Sequence, residues 1–599
     1  MFVHKCLGAG RQALSKIGIL LSLVLLVGCG STSVTPTPTP TQPFLSPSLT
    51  LVDFNLGLPS KALNSPIIGT VPDDTKMHVV VTFKTNQSVL NQLKTQKVKP
   101  GQPINLKDQA NKIGISDTTY AQIKTYLGIE NATLKLDTLH TNLDIDAKAS
   151  TFAKVFQTHF VYHQLNGRTF FASATSPRIP KFIADLIVAI TGLDNYSLAP
   201  KSHIAFTRPL ALGQQTASFK PHSPNCTVDS RLVTPEQVAH AYGYDQFWSH
   251  GWRGQGMTVN FVELEGFDPN DVQNYFDCVG FQGHLKTINV DTPPTSAGGE
   301  ATLDIEMVAG LAPASNMVVY QSALDPNSAT FTDFWTLFND QLTQIVNDNS
   351  NVSTPSVVSI SWGYAEEALT PGVVNAMGTN LQLLTQAEHM TVFVASGDCG
   401  AFDDGTYQSL QVDYPGSDPS STAVGGTMLQ VDQRGNRANE VVWSDGSNTS
   451  KCTNQWGSGG GVSQLFKQPS WTQVQGMNNQ YSTGNRQLPD LSAVAFALPA
   501  YVGGQWHFDG GTSAAAPIWA AGLSLVNQGL IARKGVFVYG TDLFYAIAAI
   551  GQTSNASPLE DITRGGNLYY SATSGWDFAS GLGTPNLPNF FNVVANNVQ

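Results

Sequence analysis

Residues 510–517 read Gly-Gly-Thr-Ser-Ala-Ala-Ala-Pro, and the apolar run Ile518-Trp519-Ala520-Ala521-Gly522-Leu523 follows them. The pattern predicts that Ser513 lies on a glycine-rich turn at the start of a buried helix. Backbone N–H groups at a helix start lack intrahelical partners and carry the positive end of the helix dipole. They would stabilise an oxyanion beside Ser513, which makes this serine a candidate nucleophile. An ordinary helix-capping serine after a glycine turn would give the same local pattern, so the octapeptide alone does not decide between the two.

The chain is long and poor in charge. It has 599 residues, of which 41% are hydrophobic and 13% are charged, and its formal net charge is −12 at pH 7. The length allows several domains, or one large domain with an accessory. A surface with few carboxylates is expected to tolerate acid, because protonation disrupts few ion pairs. No basic stripe is present to neutralise phosphates, which argues against nucleic acid as a partner.

Residues 1–29 are interpreted as a lipoprotein-type signal peptide. Its positively charged part holds Lys5, Arg11 and Lys16. The apolar core at 17–27 has signal-peptide length and leads into Leu-Val-Gly-Cys, which ends at Cys29. This tetrad resembles a bacterial lipobox, so we expect an exported precursor held at the cell envelope by a lipid on Cys29. A plain secretory signal and a short membrane anchor are the alternatives.

A Thr/Pro-rich tether at 30–49 follows the signal peptide and is expected to be extended and semi-rigid. Four cysteines lie beyond it, namely Cys226, Cys278, Cys399 and Cys452. An even number in an exported chain allows up to two disulfides, and all three pairings are open at this point.

Residues 50–197 predict a small α+β region. Strands are expected at 77–83, 156–162 and 170–173, and helices at 116–126 and 181–190. The order is βαββαβ-like, as in ferredoxin-like folds, and no catalytic constellation is evident there. Residues 198–230 have the composition of a linker.

Residues 231–599 predict an α/β domain with a largely parallel sheet covered on both faces. Buried-strand runs at 257–262, 317–320, 357–360 and 392–395 alternate with helices at 302–311 and 381–389. Active sites in such sheets lie at the carboxyl ends of the strands, where Glu263, Trp362 and Asp398 occur.

Glu300 and Asp304 are four residues apart on a predicted helix and therefore share one face. Two close carboxylates share a proton, so one of them has a raised pKa. Such a pair can act as general base in acid, where histidine is protonated. The alternative is a solvated helix face. The apolar neighbours argue against it, and Glu306 is the acid expected to face solvent.

Asp398 follows a predicted strand and precedes a glycine turn in Ala395-Ser396-Gly397-Asp398-Cys399-Gly400. It is a candidate to donate a hydrogen bond to an oxyanion while protonated. The alternative is an Asx-turn residue.

Taken together, these motifs resemble the sedolisins, or serine-carboxyl peptidases, and their kumamolisin-like members in particular. The ordered set is Val262-Glu263-Leu264, Gly299-Glu300 with Leu303-Asp304-Ile305-Glu306, Ser359-Ile360-Ser361-Trp362-Gly363, Ala395-Ser396-Gly397-Asp398, Gly459-Gly460-Gly461, Pro489-Asp490-Leu491-Ser492-Ala493 and Gly511-Thr512-Ser513. The resemblance spans about residues 228–597. It implies a subtilisin-like parallel sheet flanked by helices for 231–599, preceded by an activation prodomain at 50–197 and a cleavable linker at 198–230.

The resemblance also implies roles for the candidate residues. Ser513 would attack the scissile carbonyl, Glu300 would take its proton, and Asp304 would hold Glu300 in place. Asp398 and the backbone N–H of Ser513 would form the oxyanion hole.

Glu263 and Trp362 match positions that extend the carboxylate network behind Asp304. Glu265 is an alternative acid in the same loop.

A site for one calcium ion is implied near the C-terminus. Its expected ligands are the carboxylates of Asp561 and Asp577 and the backbone carbonyls of Ile562, Thr573 and Gly575. Calcium prefers such hard oxygens. The family usually has glycine where Thr573 stands, so this ligand depends on backbone angles that suit a β-branched residue.

The expected function is therefore that of a serine endopeptidase made as a zymogen and active in acid, with protein or peptide substrates. Its own prodomain would act as an intramolecular inhibitor, and processing would free the enzyme from the lipid-anchored part. Two alternatives are kept: a subtilisin-type protease with a histidine base, and a catalytically inactive exported binding or adhesion protein.

Overall fold

The computed structural model describes residues 50–99, 101–128, 132–203, 206–209, 216–218, 226–323, 330–403, 409–444, 455–551 and 557–598. The predictions for the signal peptide, Cys29, the tether and Cys452 lie outside these residues, as does much of the predicted linker.

A mostly parallel sheet of eight strands forms the centre of the described C-terminal region. Seven strands follow one another across it in the order His284–Asn289, Asn316–Gln321, Thr258–Glu263, Ser356–Ile360, Thr391–Ala395, Ser421–Val431 and Arg437–Val442. The eighth strand, Leu491–Val494, pairs in parallel with Ser421–Val431. Among these pairs, Ser421–Val431 with Arg437–Val442 is antiparallel and the others are parallel. The central strands are apolar runs because helices cover both faces of the sheet.

Two helices matter most for the site. The serine helix, Thr512–Lys534, packs against the glutamate helix, Gly299–Leu311. The serine helix is long and apolar enough to cross a membrane. However, 89% of its most apolar 18-residue stretch is buried inside the protein, so it is a core helix. The other helices of this region are Pro235–Tyr242, Tyr244–Ser249, Pro269–Val279, Phe334–Asn349, Pro371–Gln386, Asp542–Gly551 and Leu587–Asn597, with a 3₁₀ turn at Glu366–Ala368.

Short strands surround this sheet. They are Lys201–Ser202, Phe206–Pro209, Thr216–Ser218, Thr227–Asp229, Thr330–Phe331, Asn351–Val352, Trp362–Ala365, Asp413–Tyr414, Gly461–Lys467, Asn485–Leu488, Leu498–Val502, Gln505–Gly510, Leu559–Glu560 and Thr584–Pro585.

The N-terminal region contains a sheet with four antiparallel strands in the order Ile187–Thr191, Lys76–Phe83, Asn142–Lys148 and Thr133–Leu136, and the short strand Thr330–Phe331 pairs in parallel with Lys76–Phe83. Numbered along the chain, the four antiparallel strands have the order 4-1-3-2 of a ferredoxin-like fold, with helices between the first two and the last two strands. The helical segments here are Ser60–Leu63, Gln87–Thr95, Leu106–Gln109, Ala110–Ile113, Asp117–Leu127, Ala149–Val155 and Lys181–Ala184. The remaining strands are Leu51–Asp53, Ile67–Thr70, Ile104–Asn105, Phe160–Leu165, Arg168–Ser173 and Arg178–Pro180.

Two boundaries predicted in this region are wrong. The helix expected at 181–190 ends at Ala184, and Ile187–Thr191 is instead an edge strand of the sheet. Its alternating apolar residues pair with Lys76–Phe83, a long-range contact that local periodicity does not reveal. The strand expected at 156–162 begins only at Phe160, because Phe156 still closes a helix.

The N-terminal sheet lies on the helices Phe334–Asn349 and Pro371–Gln386. The Nε2 atom of His78 is 3.0 Å from Oδ2 of Asp340. The amide of Asn142 donates to Oδ1 of Asn380 at 3.1 Å. Residues 50–599 belong to one compact unit, so the N-terminal region is docked on the sheet-bearing region in the uncleaved chain.

Candidate active site

The carboxyl ends of three neighbouring strands form the floor of the site. Glu263 is the last residue of Thr258–Glu263, and Trp362 comes two residues after the end of Ser356–Ile360. Asp398 follows Thr391–Ala395, the next strand in the sheet. The expected convergence of these side chains at one edge of a parallel sheet is therefore observed.

Glu300 and Asp304 lie one turn apart on the glutamate helix, with exposed fractions of 1% and 0%. The helix begins earlier than predicted, at Gly299, because Oε1 of Glu265 accepts the backbone N–H of Glu300 at 2.7 Å. A Cβ at Gly298 would lie 2.0 Å from that oxygen, so a side chain there would displace the Glu265 carboxylate. Glu265 thus binds the N-terminus of the glutamate helix, and it does not take the place of Glu263 in the carboxylate network.

The expectation that Glu306 faces solvent is wrong. Its side chain is fully buried, and Oε2 accepts the backbone N–H of Tyr501 at 2.9 Å. The glutamate helix is covered all round, so no face of it is a solvated acidic stripe.

Ser513 is the second residue of the serine helix and is fully buried. Gly511 precedes the helix with φ of 117°, a conformation that favours glycine. The glycine turn therefore sets the serine at the helix start, as the sequence predicts.

A chain of buried carboxyl groups runs behind the serine. Ser361 Oγ donates to both carboxylate oxygens of Asp304, at 2.9 Å each. Trp362 Nε1 donates to Oε2 of Glu263 at 3.0 Å. Burial raises the pKa of Asp304 and of Glu263 well above their ordinary values, and each nearby carboxylate raises the next further. The hydrogen bonds from Ser361 and Trp362 oppose these rises.

Glu300 is the carboxyl group that interacts with the Ser513 hydroxyl. Burial raises the pKa of Glu300 well above its ordinary value, and the charge of Glu263 raises it further. A hydrogen bond from the Ser513 hydroxyl opposes the rise. The contact is loose, since neither Ser513 Oγ nor either Glu300 oxygen has a well-aligned partner among the described residues. Catalytic hydrogen bonds commonly tighten only in the reacting complex.

Only one of the two carboxylate oxygens of Asp398 is hydrogen-bonded among the described residues. Its Oδ1 accepts the backbone N–H and the hydroxyl of Thr512, both at 2.8 Å. Its Oδ2 is buried without a hydrogen-bond partner among the described residues. Burial raises the pKa of Asp398 to about 7, against the opposing charge of His203 and the two Thr512 bonds. In acid this group is therefore a neutral carboxyl with a proton to donate.

Part of the predicted linker crosses this site. Lys201–Ser202 pairs antiparallel with Trp362–Ala365, and Phe206–Pro209 pairs antiparallel with Gln505–Gly510. Between them, the carbonyl oxygen of His203 accepts the backbone N–H of Ser513 at 3.3 Å.

The His203 side chain points to a second acid. Its Nε2 lies 2.7 Å from Oδ2 of Asp413, and both side chains are 5% exposed. Among the described residues no histidine hydrogen-bonds to the Ser513 hydroxyl.

Sequence reasoning missed Ser361, His203 and Asp413. Ser361 stands directly before the predicted Trp362, so the motif contained a usable signal. The pairing of His203 with Asp413 joins residues 210 positions apart in a segment that reads as linker, and nothing local signals it.

The predicted calcium loop is folded around its two aspartates. Oδ2 of Asp561 accepts the N–H of Gly575 at 2.9 Å, and Oδ2 of Asp577 accepts the N–H of Thr573 at 2.8 Å. Burial raises the pKa of Asp577 to about 6, and none of the ion pairs among the described residues involves either aspartate. Thr573 has no positive φ, so its backbone suits a β-branched residue. Hard oxygens and two carboxylates without a cation partner fit calcium.

One disulfide joins Cys226 to Cys278. Cys399 is also disulfide-bonded. The first bond selects one of the three pairings left open by the sequence.

Comparison with known proteins agrees with this geometry. Residues 66–196 match the family model described as "Pro-kumamolisin, activation domain". The chain is 31% identical over 501 residues to kumamolisin of Bacillus sp. (strain MN-32), which covers 79% of this chain and 82% of that protein. It is 25% identical over 485 residues to sedolisin of Pseudomonas sp. (strain 101), covering 76% of this chain and 75% of that protein.

A solved structure of Pseudomonas sedolisin, complexed with two molecules of pseudo-iodotyrostatin, has a TM-score of 0.51 to this chain at 25% identity. The match covers 61% of this chain and 98% of that one, which agrees with a subtilisin-like sheet plus an additional N-terminal region. The chain therefore belongs to the sedolisin family of serine-carboxyl peptidases and carries an activation domain of the pro-kumamolisin type.

Proposed function

We propose that this chain is an exported endopeptidase made as a zymogen, which uses Ser513 as nucleophile and Glu300 as general base in acid. The observation that carries the proposal is the placement of Ser513 at a helix start against a buried chain of carboxyl groups with raised pKa values. A histidine base is not supported, because the imidazole of His203 is paired with Asp413.

Each group has a defined task. Ser513 Oγ attacks the scissile carbonyl carbon while Glu300 takes its proton, which Glu300 then gives to the leaving amine. Asp304 accepts from Ser361 and holds a shared proton with its carboxyl neighbours, which keeps Glu300 in place. Glu263, fixed by Trp362, extends this chain.

The oxyanion would be stabilised from two sides. One donor is the backbone N–H of Ser513 at the positive end of the serine helix. The other is the proton on Asp398, whose free oxygen is Oδ2. Because Asp398 donates only while it is protonated, activity is expected to be confined to acid.

Zymogen behaviour is supported by the position of the linker. A segment that pairs with strands on both sides of Ser513 excludes other substrates until it is cut and displaced. The docked N-terminal region, held by contacts such as His78 to Asp340, would act as the intramolecular inhibitor.

The calcium loop would be a structural part of the enzyme. Asp561 and Asp577 would bind one ion through carboxylates, and Ile562, Thr573 and Gly575 through carbonyls. When bound, the ion would supply positive charge that offsets the two carboxylates and cross-links the loop.

Export is proposed from the sequence of residues 1–29 and is supported by the Cys226–Cys278 disulfide, since disulfides persist in oxidising compartments. The lipid on Cys29 would anchor the precursor at the cell envelope. Cutting the linker would separate the peptidase from that anchor.

The test is hydrolysis of acid-denatured protein between about pH 3 and pH 5, the range in which one carboxylate of a coupled pair ionises. Wild type should be active, and Ser513→Ala and Glu300→Gln should lose at least about 10³-fold in kcat. The matched controls are Ser524→Ala on the serine helix, whose hydroxyl only bonds the Ala520 carbonyl, and Glu306→Gln on the glutamate helix. Both controls should retain activity.

An inactive wild type with a folded, docked precursor would favour the binding or adhesion alternative. The subtilisin alternative would be favoured if activity is retained in Glu300→Gln and if activity decreases as the pH drops below a histidine pKa of roughly 6.5.

A further inference from the structure

We infer that His78, Asp291 and Asp340 form a binding site for one divalent metal ion of the zinc type, and that the bound ion fastens the N-terminal region to the sheet-bearing region. None of the three residues belongs to the active site or to the predicted calcium loop. The inference therefore goes beyond the proposed peptidase function and does not depend on it.

The three side chains come from both regions of the folded chain. His78 lies on a strand of the N-terminal sheet, Asp340 lies on the helix Phe334–Asn349, and Asp291 lies in the loop after the strand His284–Asn289. One nitrogen or oxygen atom of each side chain lies within 4.8 Å of the corresponding atoms of the other two. An ion held by all three would therefore cross-link the two regions.

The contact at the centre of the site is close to the size that a metal ion needs. Nε2 of His78 is 3.0 Å from Oδ2 of Asp340, and the two side chains are 10% and 7% exposed. Zinc binds nitrogen and oxygen at about 2.0–2.1 Å in tetrahedral geometry, which sets two ligand atoms about 3.3 Å apart. The two atoms therefore need to separate by only about 0.3 Å to hold an ion. The ion would replace the proton of the hydrogen bond between them.

The other nitrogen of the His78 ring also has a carboxylate partner. Nδ1 is 2.7 Å from Oδ1 of Asp146, which stands opposite His78 on the neighbouring strand. A histidine that binds a metal almost always donates its second N–H to a carboxylate, a carbonyl or water, which fixes the ring and leaves a lone pair on the metal-binding nitrogen. Asp146 is therefore a positioning residue for Nε2 of His78.

The carboxylates of this site lack a compensating cation. Asp340 is 6% exposed, and its Oδ1 has no hydrogen-bond partner among the described residues. Asp144 also has a buried Oδ1 without a partner there, and its ion pair with Lys135 is long, at 3.9 Å. No lysine or arginine in the described part of the chain forms an ion pair with Asp146, Asp291 or Asp340. A divalent cation would neutralise this charge, which is costly to bury unpaired.

The donor atoms select the class of metal. Calcium and magnesium take oxygen ligands, whereas an imidazole nitrogen favours zinc and its transition-metal neighbours. One imidazole and two carboxylates leave a fourth position of a tetrahedral ion, which water can fill. Zn²⁺ is therefore the ion with which to probe the site.

The experiment measures binding of Zn²⁺ to the purified full chain by calorimetry at neutral pH. The chain carries Ser513→Ala, which removes the proposed nucleophile, and excess Ca²⁺ is present to fill the predicted calcium loop. One Zn²⁺ per chain is expected to bind. Because an ion that binds the folded, docked state stabilises it, Zn²⁺ should also raise the Tm, and a zinc-selective chelator should reverse the rise.

Variants of this parent chain assign the ligands. His78→Ala should weaken Zn²⁺ binding at least about 100-fold, and Asp340→Asn and Asp146→Asn should weaken it by about 10- to 100-fold. The matched controls are His159→Ala, an exposed histidine of the N-terminal region, and Asp348→Asn, an exposed acid on the same helix as Asp340. Both controls should bind Zn²⁺ as the parent chain does.

Two results would overturn the inference, namely no stoichiometric binding of Zn²⁺ to the parent chain or an unchanged affinity in His78→Ala. Should the buried variants fail to fold, Asp291→Asn keeps the test decisive, because Asp291 is exposed and lies in a loop. Asp291→Asn should weaken binding about 10-fold or more, and an unchanged affinity in this variant would likewise overturn the site. Binding is measured without peptidase activity, so an inactive wild type leaves this inference standing, and a failure to bind Zn²⁺ leaves the proposed function standing.

Discussion

Asp398 and Thr512 are joined by two hydrogen bonds, since Oδ1 of Asp398 accepts both the N–H and the hydroxyl of Thr512 at 2.8 Å. The arrangement fixes the carboxyl and leaves the buried Oδ2 without a partner among the described residues. It therefore assigns the acceptor role to one oxygen and the donor role to the other.

Two substitutions of Asp398 should distinguish the effect of losing its hydrogen-bond donor from the effect of losing its titratable proton. Asp398→Ala should lower kcat by about 10²- to 10³-fold, the loss typical of one oxyanion donor. Asp398→Asn should lose less, because an amide can still donate. Wild-type activity should fall as pH rises through about 7, where Asp398 loses its proton. Kinetic pH profiles test this, and an unchanged alkaline limb in Asp398→Asn would contradict the assignment.

Removing the indole N–H of Trp362 should weaken the carboxyl chain from behind. Trp362→Phe loses the 3.0 Å bond to Glu263, a bond that holds down the pKa of that acid. We expect kcat to fall by about 10-fold with a smaller change in KM, because the lost bond is to an ionisable group. Trp335→Phe, whose indole N–H binds the Leu198 carbonyl, is the matched control. Equal effects of the two substitutions on kcat would contradict a positioning role.

Stability should be greatest in acid. Burial raises the pKa of Asp194 and Asp398 to about 7 and that of Asp340 and Asp418 to about 6, against an ordinary value of 3.8. The folded chain therefore holds protons between about pH 4 and pH 7 that the unfolded chain gives up. The free energy of unfolding consequently falls as pH rises through this window.

The measurement is the Tm of Ser513→Ala, which lacks the proposed nucleophile, at about pH 4.5 and pH 7.5. We expect the higher Tm at the lower pH. Asp418→Asn in the same background should flatten the dependence, because it removes one of the titrating groups. A Tm that rises with pH would show that the opposite shifts, such as the lowered pKa of His389, dominate.

Calcium should stabilise the C-terminal loop. A ligand that binds the folded state raises stability with its free concentration, so a chelator should lower the Tm of wild type. In Asp561→Asn the chelator should have a smaller effect, because one carboxylate ligand is missing. Glu560→Gln, the neighbouring exposed acid, is the control. An identical chelator response in wild type and Asp561→Asn would exclude this loop as the site.

The sheet-bearing region was largely predictable because its strands are local signals. Runs such as 257–262 and 392–395 are mostly apolar, as is typical of strands covered on both faces. The predicted ends of each run lie within two residues of the ends of an observed strand. Glu263 ends one such strand and Asp398 follows another by three residues, so the fold carries both carboxyls to one edge of the sheet.

Long-range partners were not predictable. Ile187–Thr191 resembles part of a helix until Lys76–Phe83 pairs with it, and Glu306 resembles a solvent-facing acid until Tyr501 covers it. The contact between His203 and Asp413 likewise exists only because the linker is threaded through the cleft. The local pattern of polar and apolar residues does not reveal contacts between residues so far apart in the chain.

If the enzyme cuts its own linker, the position of that linker would also determine the kinetic order of maturation. The bond to be broken would then lie between two segments paired with the site, Lys201–Ser202 and Phe206–Pro209, so its effective concentration would not depend on how much protein is present. The half-time of the first cut should accordingly be the same in dilute and concentrated solution. An enzyme built in this way would mature as single, isolated copies at a cell surface, without needing to encounter another molecule of its kind.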